Sequence, residues 1–295
     1  MFCILDGTPM STKLTGLSLS FIGVVVISPD ALVLRWVAMD HGTLLLWRGL
    51  FLIAGFSAVI LYQYQLNSLK ALSRAGWFGV LSGFLFAINT FCYTKSIQLT
   101  SVTAAMMIIS TAPVFAALIS WLLLKERINY STAIVIICTL VGIAIIAADS
   151  EGHNTITGNL FALVCAVSMA MNFVLARFKS ARDLTPGLVF SGLFIVLLAV
   201  LEGADSAMPE TLQLGAIAII AMVALPIGFT LLQIASRYIS ATDVSLFLLL
   251  EAVLAPFWVW LVLSEIPSVT TLIGSVVICL TLSFYGYLQY LKTPI

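Results

Sequence analysis

Charge is scarce in this chain. Of its 295 residues only 9% are Asp, Glu, Lys or Arg while 61% are hydrophobic, whereas a soluble domain carries roughly 25% charged residues to cover its surface. That excludes an ordinary soluble protein and calls for lipid, which tolerates an apolar exterior and penalises charge on it. The 13 basic residues are balanced by 13 acidic ones, so no nucleic-acid partner is expected. The five cysteines (Cys3, Cys92, Cys138, Cys165, Cys279) stand singly, with no CxxC pair, and read as small hydrophobes. Both histidines, His41 and His153, fall in expected loops, which argues against a metal site or a His-based catalytic dyad. Walker loops, zinc motifs and nucleophile elbows are missing as well. The expectation is therefore a chain with no cofactor, no ATPase function of its own and no enzymatic activity. Residues 1–13 lack the basic region, apolar core and cleavage site of a removable signal peptide, and Met10 is an alternative start.

What the sequence does have is long apolar runs. A transmembrane helix needs about 20 mostly apolar residues, and ten segments qualify: 14–34, 43–62, 77–96, 102–124, 131–148, 156–176, 184–201, 212–234, 242–263 and 269–289. Basic residues in short loops are retained on the cytoplasmic side. Lys13, Lys70, Arg74, Lys125, Arg127, Arg177, Lys179, Arg182, Arg237 and Lys292 all fall on one side of this arrangement, and only Arg35 and Lys95 on the other; Arg48 lies inside the second span. The reading is a multi-pass protein of a bacterial-type inner membrane with both termini cytoplasmic.

The chain also repeats itself. At an offset of 142, Thr15, Gly16, Val25 and Arg35 meet Thr157, Gly158, Val167 and Arg177; at 139, Ser101, Thr103, Val114, Trp121, Leu122, Leu124 and Glu126 meet Ser240, Thr242, Val253, Trp260, Leu261, Leu263 and Glu265. Two halves result, 1–148 and 149–295. Each has five spans, an odd number, so the second enters the membrane from the opposite face. The expected fold is an all-α membrane protein of ten transmembrane helices, two inverted five-helix repeats around a central cavity. Inverted repeats of this kind build many secondary transporters, which bind substrate near the midplane and alternate access. An intramembrane enzyme or a non-transporting scaffold subunit is the alternative.

The segments Tyr93–Ala105, Ala112-Pro-Val-Phe115 and Trp121-Leu-Leu-Leu-Lys-Glu126, with their counterparts Arg237–Glu251 and Trp260–Glu265, resemble the drug/metabolite transporter superfamily, EamA type. The resemblance implies ten helices in two inverted repeats and export or exchange of amino acids, nucleobase-like compounds or other small metabolites. Ala252 stands where many members have proline, so a helix break there in relatives is expected to shift to Pro256.

Charge inside hydrocarbon costs about 2.5–3.5 kcal/mol per residue on insertion scales, so such groups face a cavity or a partner. Glu251, about ten residues into the ninth span, lies near the bilayer centre and is the first candidate, for proton coupling or for holding a cationic group; the alternative is a structural carboxyl. Asp30 follows Pro29, which is expected to bend the first span, and maps onto Asn172 at offset 142, so both should look toward the shared axis. Arg48 and Lys95 are its candidate ion partners, as a gate or a static brace, although Lys95 has the ordinary option of snorkelling to the interface. Asn89 and Tyr93, four residues apart, share a helix face fit to line a cavity. Trp258, two turns beyond Glu251, is a weaker candidate. Gly79 and Gly83 make a small-xxx-small pair that permits close helix packing, and Pro113, Pro226 and Pro256 mark expected kinks. The partners expected are a small-molecule substrate, the bilayer and coupling protons, with no ATPase subunit.

Overall fold

The computed structural model describes residues 9–37, 39–99, 102–125, 130–147, 156–179, 183–205 and 208–263, together with 273, 276–277, 280–281 and 284. Among them there is helix and no strand, as lipid requires: a chain without water to satisfy its amides must bond them internally. The helices are α1 (Pro9–Ile27), α2 (Asp30–Trp36), α3 (His41–Tyr64), α4 (Ser68–Leu99), α5 (Val102–Ile109), α6 (Ala112–Leu124), α7 (Tyr130–Ala147), α8 (Ile156–Phe178), α9 (Val189–Leu201), α10 (Thr211–Ala218), α11 (Leu225–Ala235) and α12 (Ala241–Leu263). They occupy nine of the ten stretches expected to span. The tenth, 269–289, lies outside the described residues except for single helical positions. Four stretches are long and apolar enough to cross a membrane, Lys13–Trp36, His41–Leu99, Ile156–Phe178 and Thr211–Ala235, with shorter apolar helices at Ala112–Leu124, Ala133–Gly142 and Thr185–Leu201.

Proline and glycine break several of these helices. Ser28 and Pro29 separate α1 from α2; Ser110 and Thr111 separate α5 from α6, with Pro113 in the first turn beyond. A π-helical stretch, Ile219–Ala224, joins α10 to α11, and Pro226 opens α11. Pro113, in the first turn after a break, costs no hydrogen bond, since that N–H is an orphan anyway. The break expected at Pro256 is not seen: α12 runs unbroken from Ala241 to Leu263. Conversely, α4 is bent at a residue not singled out, Gly76, whose φ of 55° and ψ of −151° only glycine adopts without strain.

The bundle is held by close backbone approach. α3 packs along α9, α4 along α8, and α1 along α11; α6 meets both α8 and α12, and α12 also meets α1. Gly49 on α3 and Gly192 on α9 face each other, since a Cβ on Gly192 would lie 2.8 Å from the Gly49 carbonyl oxygen. Gly23 and Gly228 do the same between α1 and α11, and Gly79 and Gly83 sit against the backbone of Gly187. In lipid, where apolar burial gives helices no reason to associate, such contacts supply the dispersion energy that water exclusion supplies elsewhere. Aromatic pairs add to the interior: Phe86 meets Phe56 and Phe229 edge to face, at centroid distances of 5.8 and 4.5 Å.

Candidate functional site

Where α1, α2, α3, α4, α5, α6, α8, α11 and α12 converge they enclose a cavity of about 670 Å³ between protein atoms, open mouth included. Its apolar wall includes Phe86, Met106, Met169, Phe229 and Leu248. Its polar groups are few: Asp30, Arg48, Asn89, Thr90, Tyr93, Ser110, Ser245 and Glu251. A mostly apolar pocket with a few placed polar groups is the usual make-up of a small-molecule site.

The charged part of the wall starts from the break at Pro29. Ending α1 there lets α2 restart at Asp30, whose carboxylate sits in a helical first turn, where the helix dipole favours an anion. Arg48, from the second turn of α3, meets it with both terminal nitrogens, Nη1 to Oδ1 at 2.7 Å and Nη2 to Oδ2 at 2.5 Å. Both residues are buried, 3% and 4% exposed, so each charge depends on the other. Arg48 thus takes Asp30, and Lys95 does not. Lys95 instead donates to both carboxylate oxygens of Glu202, each at 3.0 Å, at the end of α9; the expectation that it merely snorkels gives way to a defined ion pair. Glu202 also lies 2.5 Å from His41 Nδ1, and His41 Nε2 lies 2.9 Å from Thr94 Oγ1. His41, read as a loop residue, is the buried first residue of α3. Burial of Glu202 pushes its carboxyl upward, but the bonds from Lys95 and His41 outweigh this and hold it below its ordinary value. His153 lies outside the described residues.

Glu251 reaches the cavity from the middle of α12, facing the Asp30 and Arg48 charges, and makes no hydrogen bond to any described residue. Two more groups on the same wall lack partners in the protein: Arg48 Nε and the Tyr93 hydroxyl are fully buried and unbonded. Each such orphan costs about 1–3 kcal/mol. Asn89 shares the wall with Tyr93 but spends its amide on the neighbouring helix, donating to the Cys165 carbonyl at 3.2 Å and Sγ at 3.1 Å.

Two expected wall residues are elsewhere. Asn172 does not line the cavity; its side-chain oxygen accepts from Ser82 at 2.6 Å, and Ser82 accepts from Gln233 Nε2 at 3.1 Å, a buried triad in series joining α8, α4 and α11. Trp258 is also off the wall: its indole N–H donates to Ser28 Oγ at 2.7 Å, fastening α12 to the end of α1. In both cases a nearby polar partner captures a side chain whose helical position alone pointed inward. Cys165, Met169 and Phe229 join the wall without any sequence signal, since an apolar letter in an apolar helix says nothing of which face it lies on. Ser82 and Gln233 did carry one, being polar groups within hydrocarbon-length runs. Among the described residues no group of three or more His, Cys, Asp and Glu could hold a metal ion.

A multi-helix apolar bundle around a pocket with buried charge defines an integral membrane protein with an internal pocket. The chain belongs to the EamA-like transporter family, within the drug/metabolite transporter superfamily: the family's model matches residues 14–148 and again 156–287. It is 29% identical over 240 residues to the pseudopaline exporter CntI of Pseudomonas aeruginosa, covering 79% of this chain and 84% of that protein. It is 27% identical over 236 residues to the uncharacterized transporter YdfC of Bacillus subtilis, covering 77% and 76%. To the S-adenosylmethionine uptake transporter of Rickettsia bellii it is 26% identical over 230 residues, covering 76% and 77%. A protein of known crystal structure shares the fold with a TM-score of 0.76 at 19% identity, over 96% of this chain and 99% of that one.

Proposed function

We propose that this protein is a secondary carrier that exports a small polar or amphipathic metabolite, amino-acid-like or nucleobase-like, by alternating access between two inverted halves, 1–148 and 149–295, with both termini in the cytoplasm and Glu251 exchanging the coupling proton. The observation that carries the reading is the convergence of Asp30, Arg48 and Glu251 on one mostly apolar cavity. A carboxyl without a hydrogen-bond partner beside a fixed ion pair can take up a proton or an ammonium group without dismantling the bundle. The named relatives include one exporter and one uptake transporter, and flux measured from each face of the liposome decides the direction.

The helix contacts support the two-fold reading. Exchanging spans one to five for six to ten turns the contact of α4 with α8 into that of α11 with α1, turns α6 with α8 into α12 with α1, and leaves α3 with α9 and α6 with α12 in place. The facing pairs follow: Gly23 and Gly228 correspond to Cys165 and Asn89 at the offsets 142 and 139.

Purified protein in liposomes should move a solute, first found by thermal stabilisation in detergent, and a proton gradient should drive it. Glu251→Gln should fold normally and lose the dependence of flux on pH. A wild-type pH profile in that variant removes Glu251 from coupling; conversion of the solute, or no movement with any candidate, favours the enzyme or scaffold reading.

A further inference from the structure

Two polar clusters outside the cavity occupy corresponding places at opposite ends of the α3–α9 pair. At one end, His41 at the start of α3 and Lys95 near the end of α4 grip Glu202, which follows α9. At the other end, Tyr64, the last residue of α3, donates to Asp183, ahead of α9, and Arg237 beyond α11 lies 3.7 Å from the same carboxylate. α3 has 24 residues, which puts the two clusters about 36 Å apart. In each cluster one end of α3, the opposite end of α9 and one basic residue meet on a single acidic side chain. The basic residue comes from α4 in the first and from beyond α11 in the second, and these are corresponding spans of the two halves.

We propose that these clusters are a matched pair of gate latches, one for each face of the membrane, which set the side from which the cavity opens. The inference rests on the carrier reading. α3 and α9 touch backbone to backbone at Gly49 and Gly192, so they stay together without help at their ends. What each cluster adds is a tie from that post to the tip of a helix that lines the cavity: α4 brings Phe86, Asn89 and Tyr93 to the wall, and α11 brings Phe229. Each tied tip lies at the far end of its helix from a break in helical geometry, Gly76 in α4 and the π-helical stretch Ile219–Ala224 before α11. Such breaks are where a helix pivots. The ion pairs are also partly in reach of solvent, with 24% exposure for both Lys95 and Glu202 and 32% and 29% for Arg237 and Asp183. Pairs of that kind are worth only about 0.2–1 kcal/mol, cheap enough to break and remake in a cycle, whereas the buried Asp30–Arg48 pair is not.

A cysteine introduced at Met106, a partly buried position on the cavity wall, is the reporter. With Cys3, Cys92, Cys138, Cys165 and Cys279 replaced by alanine, the reaction of Met106→Cys with a membrane-impermeant maleimide is timed from each face, in whole cells and in inverted vesicles. Glu202→Gln should speed labelling from the face bearing Lys95 by about two- to fivefold and slow it from the other. Asp183→Asn, which keeps an acceptor for the Tyr64 hydroxyl, should do the reverse. Exchanging charges, Lys95→Glu with Glu202→Lys, should return the rates toward the parent. Equal changes at both faces, or none, in variants that fold and in a protein that still transports, overturn the latches and leave the carrier intact. Loss of transport by the parent protein in liposomes would instead strike the carrier reading.

Discussion

At the sequence offset of 142 Asp30 falls on Asn172, yet the two ended in different environments. Asp30 faces the cavity, paired with Arg48, on the same wall as Glu251. Asn172 is sealed into a neutral triad with Ser82 and Gln233. The difference follows from a neighbour: Arg48 on α3 corresponds to Ser191 on α9 at the offset of 143 that relates Gly49 to Gly192, and Ser191 bonds its own helix at the Leu188 carbonyl. Without a cation opposite, a carboxylate at 172 would be unpaired in hydrocarbon, and a neutral amide that accepts from the Ser82 hydroxyl is the cheaper solution. Of these two polar positions, the facing helix decides which one carries charge.

The comparison can be broken most severely at Asp30. Asp30→Ala leaves Arg48 charged, buried and unpaired, and should cost about 3–5 kcal/mol, read as a large drop in thermal unfolding temperature in detergent. Replacing both partners, Asp30→Leu with Arg48→Met, should recover most of the stability while ending solute binding; a double variant as unstable as the single one would mean that the pair is needed for folding itself. Asn172→Ala should cost less, about 1–3 kcal/mol, because it strands neutral donors only, and it should leave substrate affinity unchanged. A shift in affinity would place the triad in the site after all.

The smallest effect concerns pH. Glu202 has its carboxyl held below the ordinary 4.5, so the folded state binds its proton less readily than the unfolded chain. The resulting stability is present above pH 4.5 and is lost as pH falls through the lowered value. Thermal unfolding measured from pH 6 downward should show this loss in the parent protein, and Glu202→Gln should flatten it modestly.

Much of the scaffold was legible because bilayer thickness and backbone satisfaction leave few choices: an apolar run of sufficient length becomes helix, and Pro29, Pro113 and Pro226 announce where it breaks or restarts. Pro256 misled, since a helix interior within a bundle can absorb a proline without ending. Glu251, Asp30 and Arg48 were legible for a related reason, the cost of charge in hydrocarbon. His41 and Glu202 were not. Each sits at a helix end among polar loop residues, where a partner 161 positions away leaves no local trace.

Sequence by itself settled what the solvent demands: helices, and which few polar groups had to find company inside. The tertiary structure decided who keeps that company. Arg48 and not Lys95 answers Asp30, Ser82 claims Asn172, and Ser28 claims Trp258, because hydrogen bonds and ion pairs depend on distances of a few ångström between helices, and helical periodicity along one segment carries no information about the rotation of its neighbour.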